Sequence, residues 1–280
     1  MTHSPDFSTF ESLARDHQWV PLCRRLLCDS LTPVSAFHRL DTGGSACLFE
    51  SVIGGEKVGR YSFLAVDPFL ELSARRQEVT IRTAEAVEQF TSEDPLNELR
   101  DRIAKVRVAP VPGLENEPFI GGAIGYGAYD IVRYTERLPN APEDDRNLPD
   151  LAFGFYDSVL VFDNVTKTLL VIVLVQIDSP SDLRATYAAG LTRLNELVEK
   201  VGTPRDGLDL HDISLDRRAV AARPLSYTSN FAQEDFEAAV RKCVEYIRAG
   251  DIFQVVISQR LRIPVSSDPF DIYRTLRVVN

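Results

Sequence analysis

The chain has 280 residues, of which 44% are hydrophobic and 26% are charged, proportions typical of ordinary globular proteins. Its formal net charge of −10 argues against a nucleic-acid-binding protein, because phosphate contact needs a clustered basic surface. The longest apolar run, residues 169–175, is far shorter than the roughly 20 residues of a membrane span, and the polar start lacks a signal-peptide pattern. We therefore expect a cytoplasmic protein with no nucleic-acid and no membrane partner.

Helical spacing and cap residues predict several helices and strands at the start of the chain. Phe7, Phe10 and Leu13 recur at helical spacing and predict a first short helix. Thr32 and Pro33 stand where an N-cap and a first helical residue belong, so a second helix should follow. Strands are predicted over 45–53, 60–66, 69–75 and 78–83, and a helix is predicted from Asp94-Pro95 onwards.

The middle of the chain contains long apolar runs. A strand interrupted by glycines is predicted from 119 to 127, and it runs into a helix near residues 129–134. The runs 151–162 and 168–177 flank the polar segment DNVTKT, which predicts an antiparallel hairpin buried on both faces. Residues 181–201 have the period of a long helix.

Residues 206–230 have no sustained period and are predicted to be a linker between two domains, 1–205 and 231–280. The order of elements, with hairpins and without βαβ alternation, indicates an α+β fold. We expect mainly antiparallel, sandwich-like sheets with helices packed outside them.

The pattern beyond this linker predicts a helix, a strand and a second helix. Apolar residues from 236 to 247 recur at helical spacing, and Gly250 stands where a left-handed C-cap belongs. A strand is predicted over 251–263, and Asp268-Pro269 begin a helix that has no stop signal before the chain ends. We therefore expect this chain to be the first part of a longer protein.

Short motifs identify no catalytic centre. The glycine-rich segment GGAIGYG, residues 121–127, matches neither phosphate-binding glycine pattern, so we expect its glycines to bend a strand or bring it close to another backbone. The four cysteines and four histidines lack the spacing of a structural zinc site. No nucleophile motif and no facing pair of carboxylates can be named from spacing alone.

Two predicted strands carry unexpected polar residues. In LFESVIGGEKVGRYSFLAVDP, residues 48–68, Glu50 and Ser51 interrupt one arm of a strand pair and Arg60 begins the other. This is either an ordinary hairpin with a polar face or a pocket for a small zwitterion. In the second strand, Gln254 lies among apolar residues, and it either bonds a neighbouring loop or lines a polar cavity.

Three long blocks resemble anthranilate synthase component I, a family of chorismate-utilising enzymes. They are ESVIGGEKVGRYSFLAVDP, GGAIGYGAYDIVRYTERLP and YIRAGDIFQVVISQRL, in this order and at these separations. The resemblance runs from about Phe10 to Asn280. It implies that 1–205 is the N-terminal, tryptophan-regulatory domain and that 231–280 begins the chorismate-binding domain.

The resemblance implies a reaction in which chorismate is aminated by ammonia and pyruvate is eliminated to give anthranilate. A glutamine amidotransferase subunit, component II, supplies the ammonia, and Mg²⁺ is required. The residues that hold Mg²⁺ and chorismate, and the catalytic histidine, belong to a part of the family's sequence beyond Asn280. We therefore expect this chain, assayed alone, to be inactive.

The resemblance also implies roles for four residues present here. Glu50 and Ser51 match the Glu-Ser pair of the family's L-tryptophan feedback site, and Arg60 is the candidate for its basic residue. The remaining contacts of that site lie beyond residue 280. Gln254 matches the position that lines the active site in amine-adding members; a neutral amide there favours ammonia chemistry over the water-adding isochorismate synthases, which have a lysine.

Two alternatives stay open at this point. Aminodeoxychorismate synthase component I makes the para isomer for folate, although GRYSFLAVDP and DIFQVVISQ are more similar to the anthranilate enzyme. A non-catalytic module that binds an amino acid for regulation is the alternative of another class. The unfinished last helix argues against that module.

Overall fold

The computed structural model describes residues 3–50, 59–178, 182–210, 212 and 226–279. The chain forms two compact units, 1–209 and 210–280. The predicted segment Ser51–Val58 and most of the predicted linker, 213–225, lie outside the described residues. The predicted domain boundaries therefore stay a prediction.

The first unit contains four α-helices, one 3₁₀ helix and ten strands among its described residues. The helices are α1 Phe7–Leu13, α2 Pro33–Leu40, α3 Pro95–Lys105 and α4 Leu183–Gly202, with the 3₁₀ helix at Tyr129–Tyr134. The strands are β1 Trp19–Leu27, β2 Ala46–Phe49, β3 Tyr61–Val66, β4 Leu70–Arg75, β5 Glu78–Thr83, β6 Val87–Thr91, β7 Gly122–Gly127, β8 Leu151–Tyr156, β9 Ser158–Asp163 and β10 Thr168–Gln176.

Five antiparallel strands form the first sheet, in the order β1-β10-β9-β3-β2. Its centre is apolar on both faces, since almost every residue of β9 and β10 is buried. Helix α4 packs on β10 and β1, and α2 packs on α4 and β3. The helix α2 begins as expected: Thr32 and Ser35 form a reciprocal capping box, and Pro33 is the first helical residue.

The second sheet is also antiparallel, in the order β6-β5-β4-β8-β7. One of its faces buries a smaller core, which includes Leu72, Ile81 and Phe155. Tyr156 of β8 belongs instead to the core of the first sheet, so the two sheets meet where β8 passes into β9. The α+β fold with antiparallel sheets is therefore confirmed.

The second unit has few elements among its described residues. They are β11 Thr228–Ser229, α5 Gln233–Ala249, β12 Leu261–Arg262 and α6 Pro269–Val279. Both helices were predicted, and Gly250 ends α5 in the left-handed conformation, with φ 82°. None of the described helices is both long and apolar enough to cross a membrane.

Some predicted elements are wrong or were missed. The strand predicted over 251–263 forms only at Leu261–Arg262, where it pairs with β11. The N–H and C=O groups of a strand need hydrogen-bond partners on a neighbouring strand. The backbone of residues 252–259 makes no such hydrogen bond among the described residues. The antiparallel hairpin predicted around DNVTKT is formed by β9 and β10, but the run 151–162 also contains β8, which lies in the other sheet. Strands β1 and β6 were not predicted.

Candidate functional site

The polar hairpin identified in the sequence is the pair β2–β3. Its register is antiparallel, with Phe49 opposite Phe63. Glu50 follows β2 directly and Arg60 precedes β3, so both lie at the same end of this strand pair. Ser51, the third predicted contact, lies outside the described residues. The strand pairing confirms a hairpin, while its role as a tryptophan site stays a prediction.

The guanidinium of Arg60 is held by a carboxylate from the centre of the first sheet. Its Nη2 donates to Oδ2 of Asp163 at 2.7 Å, and its Nε donates to Oδ2 at 3.1 Å and Oδ1 at 3.2 Å. The Arg60 side chain is 37% exposed, whereas that of Asp163 is only 6% exposed. Such paired, charge-assisted hydrogen bonds are strong and directional. They fix the orientation of Arg60.

Asp163 also closes the turn between β9 and β10. Its Oδ1 accepts hydrogen bonds from the backbone N–H of Val165, at 2.9 Å, and of Thr166, at 3.2 Å. The hydrogen bonds from Arg60 hold the pKa of Asp163 well below its usual range, against burial, which raises it, and the two N–H groups lower it further. Asp163 is therefore an anion at neutral pH.

This arrangement leaves part of Arg60 available. Among the described residues, Nη1 of Arg60 makes no hydrogen bond, and its guanidinium stacks over the ring of Tyr61 at 4.8 Å. A guanidinium presents donors on more than one edge, so one edge can bind Asp163 while another faces an anionic group from outside. The geometry is compatible with the role predicted for Arg60, although most of its hydrogen bonding serves Asp163.

A cleft of about 610 Å³ lies between β2 and one face of the second sheet. We call it the inter-sheet cleft. Its volume is within the range of small-molecule sites, about 300–1,000 Å³. Its lining includes Ser45, Phe49, Glu71, Ser73, Thr80, Arg82, Ile124, Tyr126, Ala152, Gly154 and Tyr156.

The second-sheet wall of this cleft is polar. Glu71 and Arg82 face each other across β4 and β5, with 3.7 Å between Glu71 Oε2 and Arg82 Nε. The hydroxyl of Ser45, which precedes β2, donates to the other oxygen of Glu71. A carboxylate, a guanidinium and a hydroxyl therefore meet on one side of the cleft.

The glycine-rich strand β7 brings two backbones close together, as predicted. A Cβ placed on Gly125 would lie 2.6 Å from Cα of Phe153 on β8. That contact is much shorter than real Cβ contacts, so only glycine fits there. This segment has a structural role rather than that of a phosphate-binding loop.

Gln254 lies in an irregular part of the second unit. The segment 252–260 has no regular secondary structure, and the Gln254 side chain is exposed. Its predicted place in an active-site lining is not formed by the described residues and stays a prediction. Within the described ranges, no three His, Cys, Asp or Glu side chains come together in a group that could hold a metal ion.

Residues 47–280 match the family described as chorismate binding enzyme. The chain belongs to that family. Among curated relatives of this chorismate binding enzyme, one from Acetivibrio thermocellus, named anthranilate synthase component 1, is 35% identical over 277 residues. The match covers 99% of this chain and 55% of that protein.

Other relatives carry the same name. The anthranilate synthase component 1 of Pseudomonas aeruginosa is 39% identical, over 97% of this chain and 54% of its own length. A chloroplastic anthranilate synthase alpha subunit of Arabidopsis thaliana is 38% identical, over 93% of this chain and 46% of its own. The crystal structure of anthranilate synthase component I from Streptococcus pneumoniae has a TM-score of 0.61 and 31% identity. It matches 92% of this chain and 52% of that one.

The resemblance to anthranilate synthase component I is therefore confirmed. The chain spans about half the length of the curated relatives it matches.

The sequence did not indicate three residues of the Arg60 site and of the inter-sheet cleft: Asp163, Glu71 and Arg82. Asp163 is 103 residues from Arg60, and the only signal for it was an Asp-Asn pair after an apolar run. Glu71 and Arg82 look like ordinary surface charges until β4 and β5 are placed side by side.

Proposed function

We propose that this chain performs its function as part of an anthranilate synthase component I. In the proposed reaction chorismate and ammonia give anthranilate, pyruvate and water. The observation that carries the proposal is the 35–39% identity to proteins of that name over 97–99% of the chain. Membership of the chorismate binding enzyme family supports chorismate as the substrate.

The proposal includes partners and a metal. A glutamine amidotransferase, component II, would supply the ammonia, because the relatives are numbered as first components. Mg²⁺ would be held by residues beyond Asn280. L-tryptophan would act as feedback inhibitor through Glu50, Ser51 and Arg60. We propose a cytoplasmic location, although plant relatives are named chloroplastic.

We propose further that the chain has no synthase activity alone. It matches only 46–55% of the relatives' length. In addition, none of the described residues from 226 to 278 is buried. A chorismate pocket needs side chains that are packed and shielded from water. The described second unit offers no such environment.

The test joins this chain, in one polypeptide, to the part of the Pseudomonas aeruginosa relative that it does not match. We expect the joined protein, given chorismate, ammonium and Mg²⁺, to release fluorescent anthranilate and to be inhibited by L-tryptophan. The chain alone and the Pseudomonas part alone are the controls, and both should be inactive.

Three outcomes would contradict the proposal. Anthranilate formed by the chain alone would refute its inactivity. A para-substituted product, identified by chromatography, would assign the chain to aminodeoxychorismate synthase. A folded joined protein that binds amino acids but leaves chorismate unchanged would favour the non-catalytic regulatory module. The names of the relatives favour the ortho product.

A further inference from the structure

A second cavity, of about 380 Å³, lies where helix α4 ends. We call it the helix-end cavity. Its volume falls within the usual range of small-molecule sites. It is lined mainly by charged and polar side chains from α2, from the end of α4 and from the residues after α4: Arg39, Glu196, Glu199, Lys200, Thr203 and Arg205. It shares no lining residue with the inter-sheet cleft.

Two arginines of this cavity are held in place by the ends of two helices. Nη1 of Arg39 donates to the carbonyl of Val201, in the last turn of α4, at 2.7 Å. Nη1 of Arg205 donates to the carbonyls of His38, at 2.8 Å, and Asp41, at 2.7 Å, where α2 ends. The last carbonyls of a helix have no partner within the helix, so these hydrogen bonds are favourable. They orient both guanidinium groups beside the cavity.

Each of these arginines uses only one of its nitrogens in this way. Among the described residues, Nε and Nη2 of Arg39 and of Arg205 make no hydrogen bond, and Nζ of Lys200 makes none either. The Nε and Nη2 edge of a guanidinium is a planar fork that binds two oxygens of one carboxylate or phosphate. Both arginines therefore present this edge without an anion to bind it.

The cavity also has two carboxylates, but they do not neutralise its cations. Glu196 and Glu199 are exposed on α4, and neither forms an ion pair with the three cations of the lining among the described residues. Three cations and two carboxylates leave one positive charge here, in a chain whose formal net charge is −10. A local excess of positive charge in a cavity attracts anions.

We propose that the helix-end cavity binds the phosphate group of a small phosphate ester. Arg39 and Arg205 donate to the phosphate oxygens from their Nε and Nη2 edges, and the ammonium of Lys200 adds a third positive charge. A phosphate dianion has enough charge and enough oxygens for all three groups, whereas a carboxylate has one charge and two oxygens. None of these residues belongs to the proposed feedback site, so the inference does not depend on the proposed function.

Titration calorimetry on the purified chain at pH 8 tests this proposal without requiring catalysis. The probes are glycerol 3-phosphate, inorganic phosphate, acetate and glycerol. We expect saturable binding of both phosphates, with dissociation constants below about 1 mM. Acetate should bind at least tenfold more weakly, and glycerol should not bind. Added sodium chloride should weaken the binding, because the cavity is open to solvent and salt screens its charges.

Two variants that change a single exposed charge give effects of opposite sign. The side chains of Lys200 and Glu199 make no hydrogen bond or ion pair with described residues, so both variants should keep the midpoint of thermal unfolding. Lys200→Gln should weaken glycerol 3-phosphate binding about fivefold, and Glu199→Gln should strengthen it by about the same factor. Arg15→Gln is the matched control, since Arg15 is exposed and does not line the cavity.

The arginine variants test the direct contacts. Arg39→Gln and Arg205→Gln should each weaken binding about tenfold or more, because each removes a charged fork. Both should also lower the midpoint of thermal unfolding, since they lose hydrogen bonds to helix-end carbonyls. Lys200→Gln and Glu199→Gln keep the proposal testable even if an arginine variant does not fold.

Several results would overturn the proposal. They are the absence of saturable binding by either phosphate, unchanged affinity in Lys200→Gln, and a change of the same sign in Lys200→Gln and Glu199→Gln. An equal loss in Arg15→Gln would show that the anion responds only to the overall charge of the chain. Binding of inorganic phosphate without glycerol 3-phosphate would refute the phosphate ester as ligand. None of these results depends on anthranilate formation or on L-tryptophan, so this proposal can fail while the proposed function holds.

Discussion

Three charge-assisted hydrogen bonds join Arg60 to Asp163. At the level of single residues, their hydrogen bonds connect the start of β3 to the turn that follows β9. The sequence marked Arg60 as a ligand for an amino acid, but it could not show that Asp163 would hold it. The carboxylate thus acts as a positioning group for any role of Arg60 in binding.

The first prediction concerns Asp163→Asn. We expect it to lower the free energy of unfolding at pH 7 by about 2 kcal/mol, because charged hydrogen bonds to Arg60 and to the turn are weakened. The folded-state pKa of Asp163 is lowered, so its contribution is present above the unfolded value, about 3.9, and is lost as the pH falls below that value. Urea unfolding at pH 7, 4 and 3 measures this difference.

Asp16→Asn serves as the control, since Asp16 is exposed and its change should have little effect. The difference in unfolding free energy between wild type and Asp163→Asn should shrink as the pH falls. A difference that stays constant or grows towards pH 3 would show that Asp163 is not ionised and paired in the folded chain.

At the level of strands and helices, the close approach of β7 and β8 predicts that a larger residue at Gly125 destabilises the fold. Gly125→Ala should lower the free energy of unfolding by about 2 kcal/mol, because the new Cβ would collide with the backbone of Phe153. Gly202→Ala is the matched control: nothing lies within 4 Å of its Cβ, and alanine favours the helix end. Equal unfolding midpoints in urea for the two variants would show that β7 and β8 are not packed this closely.

The elements that the sequence predicted correctly are those with local signals. Capping by Thr32, the period of α4 and the left-handed Gly250 each depend on neighbouring residues. Strand pairing depends on distant residues, and this explains the errors. Strand β1 has nine residues, but its charged residues interrupt the apolar pattern and it was not predicted. Its partner, β10, lies more than 140 positions later in the chain. The predicted strand over 251–263 had the right alternation, but only Leu261–Arg262 pair with another described strand.

The inter-sheet cleft could not be predicted for the same reason. The sequence could assign Glu50 and Arg60 to one hairpin, residues 48–68, because the two residues are close in sequence. Glu71, Arg82 and Tyr156 come together only when β5, β4 and β8 are placed side by side in one sheet, and each looks unremarkable in its own segment. The sequence therefore indicated the β2–β3 hairpin but not the residues of β4, β5 and β8 on the other side of the cleft.

At the level of the whole molecule, the two units differ in how many of their described residues are buried. Strand β9 lies between two neighbours in a buried sheet, whereas residues 252–259 make no backbone hydrogen bond within the described chain. We expect backbone amides of 252–259 in the purified chain to exchange with deuterium several orders of magnitude faster than those of 159–162. Mass spectrometry of peptic fragments measures both. Similar protection in the two segments would mean that 252–259 is paired and buried.

Asp157 separates β8 from β9 and is therefore the only residue between two strands that belong to different sheets. Its carboxylate accepts a hydrogen bond from Arg193 of α4 at 2.7 Å, and its carbonyl accepts one from the N–H of Leu174 at 2.6 Å. With one residue between these strands, a displacement of β8 relative to β9 would change the backbone at Asp157 and so disturb its hydrogen bond to Arg193. A movement of the second sheet would therefore reach α4 through this side chain.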